Sequence, residues 1–111
     1  AYNSENSKYF DWYKFKNYPN EYECWWGIDD LPNVDEMNEG YRNYIIHDKD
    51  SVLNKWISMG IKGFRLDVAD ELPTQFIREF KKRLKEVDSD SVLVGEVWED
   101  ASNKVSYHLL I

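Results

Sequence analysis

Apolar side chains are concentrated in two short runs on either side of one helix-sized segment. The runs are residues 63–71, which read GFRLDVADE, and residues 92–100, which read VLVGEVWED. Short apolar runs rich in Val, Leu and Phe are typical of strands buried in a parallel sheet. The segment between them begins near Pro73, a residue favoured in the first turn of a helix. Its apolar positions follow helical spacing, at Phe76, Ile77, Phe80, Leu84 and Val87. The pattern therefore predicts a strand, a helix and a second strand.

Each predicted strand contains a carboxylate, Asp67 in the first and Glu96 in the second. Because burying an unpartnered carboxylate is costly, packing alone rarely explains such a residue. Two parallel strands joined by a right-handed crossover would place both carboxylates at the same edge if the strands are neighbours. Adjacent strands lie ~4.8 Å apart, so the carboxyl groups are expected on the order of 5–6 Å apart. That spacing suits the nucleophile and the acid/base of a retaining glycosidase.

Arg65 lies two positions before Asp67, on the same face of the predicted strand. A cation at this distance favours the ionised form of a carboxylate, which a nucleophile requires. The competing interpretation is a purely structural ion pair between Arg65 and Asp67. The residues alone leave both interpretations open.

The first 26 residues hold ten of the eighteen aromatic side chains, without a clear period. We expect an irregular segment with short strands and a small aromatic core. One or two rings could instead stack on sugars, with Trp25 or Trp26 as the first candidates. Residues 33–60 predict a short helix followed by a longer one, which Asp48 or Asp50 caps and Gly60 ends. The longer helix is expected to bury Val52, Leu53, Trp56, Ile57 and Met59.

The formal net charge is −7 and the sequence pI is about 4.8. This acidic balance argues against nucleic acid or an anionic membrane as the partner. The sequence has no run of eighteen apolar residues, and its single Cys24 excludes an internal disulfide. Neither strand-like run contains a histidine, which weakens the alternative that the carboxylates hold a metal. We expect no metal and no cofactor.

Three motifs occur in order along the chain. GFRLDVADE resembles the nucleophile strand of the α-amylase family of glycoside hydrolases, and GEVWED at residues 95–100 resembles its acid/base strand. WWGIDDLPNV at residues 25–34 is similar to the segment that returns from the inserted domain to the barrel in the neopullulanase, cyclomaltodextrinase and maltogenic amylase group. The resemblance implies an α/β fold that forms part of a (β/α)8 TIM barrel, about strands 4 and 5 with helices 3 and 4. Residues 1–30 would end the inserted, domain B-like segment, and residues 31–111 would belong to the barrel.

The resemblance also implies roles for individual residues. Asp67 would be the nucleophile and Glu96 the general acid/base, and Arg65 would position and ionise the nucleophile. Glu71 and Trp98 would lie near sugar-binding subsites on the leaving-group side. The substrates implied are α-1,4-linked glucans or maltooligosaccharides, with α-1,6 linkages as a further candidate. Asp70 and Glu71 replace the Lys-His found after the nucleophile in several calcium-dependent amylases, which removes one argument for a calcium site.

Two other motifs of the family are missing from the 111 residues, an Asn-His-Asp-like segment and an Asp-x-x-x-Asn-His segment. A (β/α)8 barrel also needs about 250 residues. We therefore expect an internal fragment of a longer bacterial-type enzyme, cytoplasmic or secreted, that is inactive by itself and self-associates. The alternative function is a catalytically silent amylase-like domain that serves in binding.

Overall fold

The computed structural model describes residues 1–100 and 102, and the chain divides into two compact units. The first unit is residues 1–41, and the second begins at Arg42. The sequence-based boundary between residues 30 and 31 stays a prediction. Residues 101 and 103–111 of the expected barrel segment lie outside the described part. No helix among the described residues is long and apolar enough to cross a membrane.

The first unit contains a small antiparallel pair, β1 (Phe15–Asn17) and β2 (Glu21–Tyr22). Aromatic rings pack around it, as predicted. The rings of Phe10 and Phe15 are stacked with centroids 5.0 Å apart, and Tyr18 meets both rings edge-on. Short 3-10 turns at Phe10–Trp12 and Trp25–Gly27 complete the irregular course of the chain. This unit is thus held together largely by rings, which bury much apolar area per residue.

The helices are α1 (Glu39–Arg42), which continues as a π-helical turn over Asn43–His47, α2 (Val52–Ser58) and α3 (Thr74–Val87). The predicted stripe of α3 is confirmed at four positions, since Phe76, Ile77, Phe80 and Leu84 are all buried. Val87, in the last turn of α3, is 38% exposed. The stripe forms the core of the second unit with other buried apolar side chains, at Ile46, Leu53, Ala69 and Leu93.

The structure corrects two details predicted for α2. The helix is capped by Ser51 and not by Asp48 or Asp50, because the Ser51 hydroxyl accepts a hydrogen bond from the Asn54 N–H at 3.2 Å. The same hydroxyl donates to the carbonyl oxygen of Ile46 at 3.2 Å, so it serves two backbone groups while fully buried. Of the expected core positions, Trp56 and Met59 are exposed and Leu53 alone is fully buried. A helix of only two turns buries one narrow face.

A charged cluster joins the start of the second unit to α3. The Arg42 guanidinium donates to Glu79 Oε1 at 2.9 Å, and His47 Nε2 lies 3.2 Å from Glu79 Oε2. Burial by itself raises the pKa of Glu79, but its hydrogen bonds with Gln75, His47 and Arg42 outweigh burial and hold the pKa below its ordinary value. The Glu79 side chain is only 22% exposed. The cluster therefore ties α3 to the turn over Asn43–His47.

The second unit contains a two-stranded parallel sheet, β3 (Gly63–Leu66) and β4 (Val92–Gly95), in the register Gly63↔Val92 to Leu66↔Gly95. The prediction of two neighbouring parallel strands joined by a helix is confirmed. Phe64 packs edge-on against Phe80 of α3, with ring centroids 5.3 Å apart. One face of the pair is thus covered by the crossover helix.

A second charged network lies at the edge where both strands begin. Lys62 Nζ donates to Asp88 Oδ2 at 2.8 Å, and the Ser91 hydroxyl donates to the same oxygen at 3.0 Å. Hydrogen bonds from Lys62, the Asp90 backbone N–H and Ser91 hold the pKa of Asp88 below its ordinary value. The Val92 N–H donates to the Lys62 carbonyl at 3.0 Å. Charges and backbone together fix the start of the strand pair.

Candidate active site

Asp67 and Glu96 follow β3 and β4 directly, at the carboxyl-terminal edge of the parallel pair. The last paired positions are Leu66 and Gly95, so the register places Asp67 opposite Glu96. The Glu96 N–H donates to the Leu66 carbonyl at 2.9 Å, which extends the ladder by one bond beyond the strands. The structure thus brings together the two carboxylates that the sequence singled out.

Arg65 bridges both carboxylates. Its Nη1 donates to Asp67 Oδ1, and its Nη2 lies 2.7 Å from Glu96 Oε1. The Asp67 side chain is 73% exposed, whereas that of Glu96 is 32% exposed. A planar guanidinium suits this task because its donors form a rigid fork. Sequence alternation predicted the contact with Asp67, and the second contact with Glu96 follows from the strand pairing.

Val68 contributes to the site in a way that the sequence did not reveal. Its backbone has φ 45° and ψ 50°, in the left-handed region that β-branched residues rarely enter. Its N–H donates to Glu96 Oε2 at 3.2 Å, so Glu96 has a partner on each carboxylate oxygen. A glycine would have signalled such a backbone turn, whereas valine predicts an extended strand.

The other predicted site residues, Glu71 and Trp98, follow the carboxyl ends of β3 and β4 along the chain. Glu71 ends a 3-10 turn over Ala69–Glu71, and Trp98 lies two positions after Glu96. Glu71 is exposed, and Trp98 is 56% exposed. Both side chains are accessible to a ligand, and their assignment to sugar subsites stays a prediction. Among the residues described, no group of three or more His, Cys, Asp or Glu side chains could hold a metal ion.

Two carboxylates that contact the same arginine can divide proton transfer and nucleophilic attack between them. The more exposed Asp67 is open to an incoming electrophilic carbon, and Glu96 can exchange a proton with an oxygen beside it. The same arrangement would also serve as a structural ion-pair network, so geometry alone does not name a substrate.

Comparison with known proteins decides the family. A family model described as the alpha-amylase catalytic domain matches residues 3–109. The chain belongs to the alpha-amylase family. The resemblance found in the three sequence motifs is therefore confirmed, and the α/β architecture matches part of a TIM-barrel enzyme of this family.

Two curated relatives and one solved structure illustrate the similarity. The chain is 34% identical over 112 residues to an amylopullulanase of Thermoanaerobacterium saccharolyticum, covering 90% of this chain and 9% of the relative. It is 33% identical over 105 residues to neopullulanase 2 of Thermoactinomyces vulgaris, covering 88% of this chain and 17% of the relative. The solved structure is the cyclic α-maltosyl-(1→6)-maltose hydrolase of Arthrobacter globiformis in complex with maltose. Its TM-score is 0.76 at 31% identity, with 87% of this chain and 23% of that chain covered. The chain thus spans less than a quarter of each of these relatives.

Proposed function

We propose that the chain forms part of a retaining glycoside hydrolase that acts on α-1,4-linked glucans or maltooligosaccharides, with α-1,6 linkages as a further candidate. In this proposal β3 and β4 are barrel strands 4 and 5, and α2 and α3 are barrel helices 3 and 4. Residues 1–30 end an inserted domain B-like segment that precedes them. Membership of the alpha-amylase family supports the reaction class, and the maltose complex of the Arthrobacter globiformis hydrolase supports the substrate class.

The observation that carries the proposal is the placement of Asp67 opposite Glu96 at the carboxyl ends of neighbouring parallel strands. Active sites of TIM-barrel enzymes lie at this edge. Because neighbouring parallel strands lie ~4.8 Å apart, the two carboxyl groups are expected on the order of 5–6 Å apart. Retaining glycosidases use a separation of about 5–5.5 Å, whereas inverting enzymes need more room for a water molecule.

In the proposed mechanism the Glu96 carboxylic acid gives its proton to the glycosidic oxygen while Asp67 attacks the anomeric carbon. The bond from that carbon to the leaving oxygen breaks, and a covalent glycosyl-enzyme forms on Asp67. The Glu96 carboxylate then takes a proton from water, and the water oxygen attacks the same carbon. Asp67 leaves as a carboxylate, with net retention of configuration.

Arg65 has a positioning role in this scheme. Because its guanidinium contacts both carboxylates, it fixes their spacing before the substrate binds. Glu71 and Trp98 are assigned to the leaving-group side. There a carboxylate can accept hydrogen bonds from sugar hydroxyls, and an exposed indole can cover the apolar face of a sugar ring. Their exposure in the described part of the chain supports this assignment.

The first experiment replaces each carboxylate by its amide in the intact enzyme that contains this chain. Asp67→Asn and Glu96→Gln should each lower turnover on maltooligosaccharides by several orders of magnitude and leave the urea-unfolding midpoint nearly unchanged. The matched controls are Asp90→Asn and Glu21→Gln, which make the same changes at exposed positions. Near-wild-type rates for either site variant would overturn the assignment of the two carboxylates, whereas absence of turnover in the wild type would favour the catalytically silent alternative.

The second experiment follows the stereochemistry. Proton NMR of the first product formed from an α-linked maltooligosaccharide should show the α-anomer, because the short separation leaves no room for water on the opposite face. A β-anomer as the first product would contradict the assignment of Asp67 as a nucleophile.

A further inference from the structure

The backbone between Asp67 and Ala69 departs from a regular parallel ladder. In a regular parallel ladder, the Glu96 N–H would donate to the Leu66 carbonyl, and the Glu96 carbonyl would accept a hydrogen bond from the Val68 N–H. Here the Glu96 N–H bonds to Leu66 O, but the Glu96 carbonyl accepts from the Ala69 N–H at 2.8 Å. Val68 is therefore one extra residue opposite Glu96, as in a β-bulge. We call residues 67–69 opposite Glu96 the Val68 bulge.

The extra residue changes what its own N–H can reach. In the regular ladder this N–H would be used by the Glu96 carbonyl. In the Val68 bulge it is released from the ladder, and it donates to Glu96 Oε2 at 3.2 Å. Arg65 Nη2 lies 2.7 Å from the other oxygen, Glu96 Oε1. The carboxylate of Glu96 is thus oriented by one charged donor and one backbone donor.

The left-handed conformation of Val68 is held by its surroundings. The Glu71 N–H donates to the Val68 carbonyl at 3.0 Å, and Ala69 is 1% exposed. Bonds on both sides of Val68 therefore fix a conformation that its branched side chain disfavours. Strained backbone of this kind persists where the structure over-determines it, and bulges beside active sites re-aim side chains.

We propose that Val68 is a positioning residue, whose bulged backbone N–H orients the Glu96 carboxyl group for proton transfer. The proposal rests on the proposed function of Glu96 as acid/base. The ordering matters because a proton donor must be aimed at the glycosidic oxygen, and small errors in placement cost much of the rate. Arg65 on β3 and Asp67 directly after β3 are the charged groups that the strand pairing places beside Glu96. The Val68 N–H adds an uncharged donor to them.

The test removes one N–H and leaves every side chain in place. In the intact enzyme, the Val68 amide is replaced by an ester through incorporation of the α-hydroxy analogue of valine. We expect kcat on a maltooligosaccharide to fall about 10-fold or more, because a general acid contributes about 10²–10⁴-fold and loses part of this when it is misaligned. KM should change little, and the limb of the pH–rate profile that reports the acid should move.

The matched control is the same amide-to-ester change at Val92, which removes the hydrogen bond from its N–H to the Lys62 carbonyl at the edge where the strands begin. This variant should lose stability but keep the wild-type pH–rate profile. If the Val68 ester has the wild-type kcat and profile while Glu96→Gln is inactive, the proposal is wrong and the proposed function stands. If Glu96→Gln is active, the failure lies in the proposed function.

A spectroscopic measurement covers the case in which the Val68 ester does not fold. In enzyme labelled with ¹⁵N-valine, the Val68 amide proton of the wild type should resonate downfield of its position in Glu96→Gln, because hydrogen bonds to a charged acceptor are stronger than those to a neutral amide. Asp90→Asn, the exposed control, should leave the resonance where it is in the wild type. A Val68 resonance at the same position in the wild type and in Glu96→Gln would overturn the hydrogen bond and, with it, the proposal.

Discussion

At Gly63 the strand pair has no room for a methyl group. A Cβ atom built on Gly63 would lie 2.5 Å from the backbone oxygen of Val92, its register partner, and 3.3 Å from the Val92 nitrogen and carbonyl carbon. Real Cβ contacts do not fall below 3.0 Å. The substitution Gly63→Ala therefore forces the two backbones apart by roughly 0.5–0.9 Å, since no flexible side chain is available to move instead.

The energetic cost follows from two contributions. Overpacking that shifts the backbone costs about 1–3 kcal/mol. Separation at this point also weakens the bond from the Val92 N–H to the Lys62 carbonyl, and a lost hydrogen bond adds about 0.5–1.5 kcal/mol. We expect the free energy of unfolding to fall by about 2–4 kcal/mol. Because the same strands carry Asp67 and Glu96, kcat should fall too, by up to about 10²-fold for a displacement near 1 Å.

Urea unfolding and steady-state kinetics of the intact enzyme check both parts of the prediction. Gly60→Ala is the matched control, because a Cβ there meets nothing within 4 Å but the backbone has φ +98°. It should cost about 1–2 kcal/mol through backbone strain and leave kcat unchanged. If Gly63→Ala were as stable and as active as Gly60→Ala, the register between β3 and β4 described above would be wrong.

Three further outcomes are expected. Because the pKa of Glu79 is lowered in the folded state, its contribution to stability is present above the unfolded pKa and is lost as pH falls through the folded pKa. Urea midpoints of Glu79→Gln should therefore decline less on acidification than those of the wild type, and equal slopes would contradict the lowered pKa of Glu79. Ser51→Ala should lower the free energy of unfolding by about 1–3 kcal/mol, because it removes the acceptor of the Asn54 N–H and the hydroxyl that donates to the Ile46 carbonyl. Ser51→Thr keeps the hydroxyl and should lower the free energy of unfolding by less. The 111 residues alone should be inactive on α-glucans and should sediment as an oligomer. In the described part, β3 and β4 pair only with each other and leave two open strand edges, which can recruit other chains. A stable monomer would contradict the association.

Features that depend on the repeated spacing of apolar residues were predicted correctly from the sequence. The stripe of α3 and the two apolar runs predicted the parallel pair, because helical and strand periods differ and the crossover rule fixes their direction. The positions of Asp67 and Glu96 at one edge followed from the same rules. Arg65 was placed beside Asp67 by alternation alone.

Features that depend on one local contact were not predictable in the same way. Ser51 caps α2 in place of a nearby aspartate because its short hydroxyl also fits a buried site under the Ile46 carbonyl. Trp56 is exposed although helical spacing predicted it in the core. The left-handed turn at Val68 contradicts the preference of its side chain, so only the hydrogen bonds around it explain it. A departure from local preference like the one at Val68 is expected at a functional site.

The network of Lys62, Asp88 and Ser91 separates two demands that this strand pair must meet. It secures the edge at which β3 and β4 begin, whereas Asp67 and Glu96 occupy the opposite edge, where the strands end. Residues at the first edge of a TIM barrel contribute to stability, and residues at the second carry the chemistry. A protein engineer can therefore strengthen or weaken the strand pair through Asp88 and its partners without altering the two carboxylates of the proposed active site. Stability of the strand pair and chemistry at the proposed site thus become properties that selection can change independently.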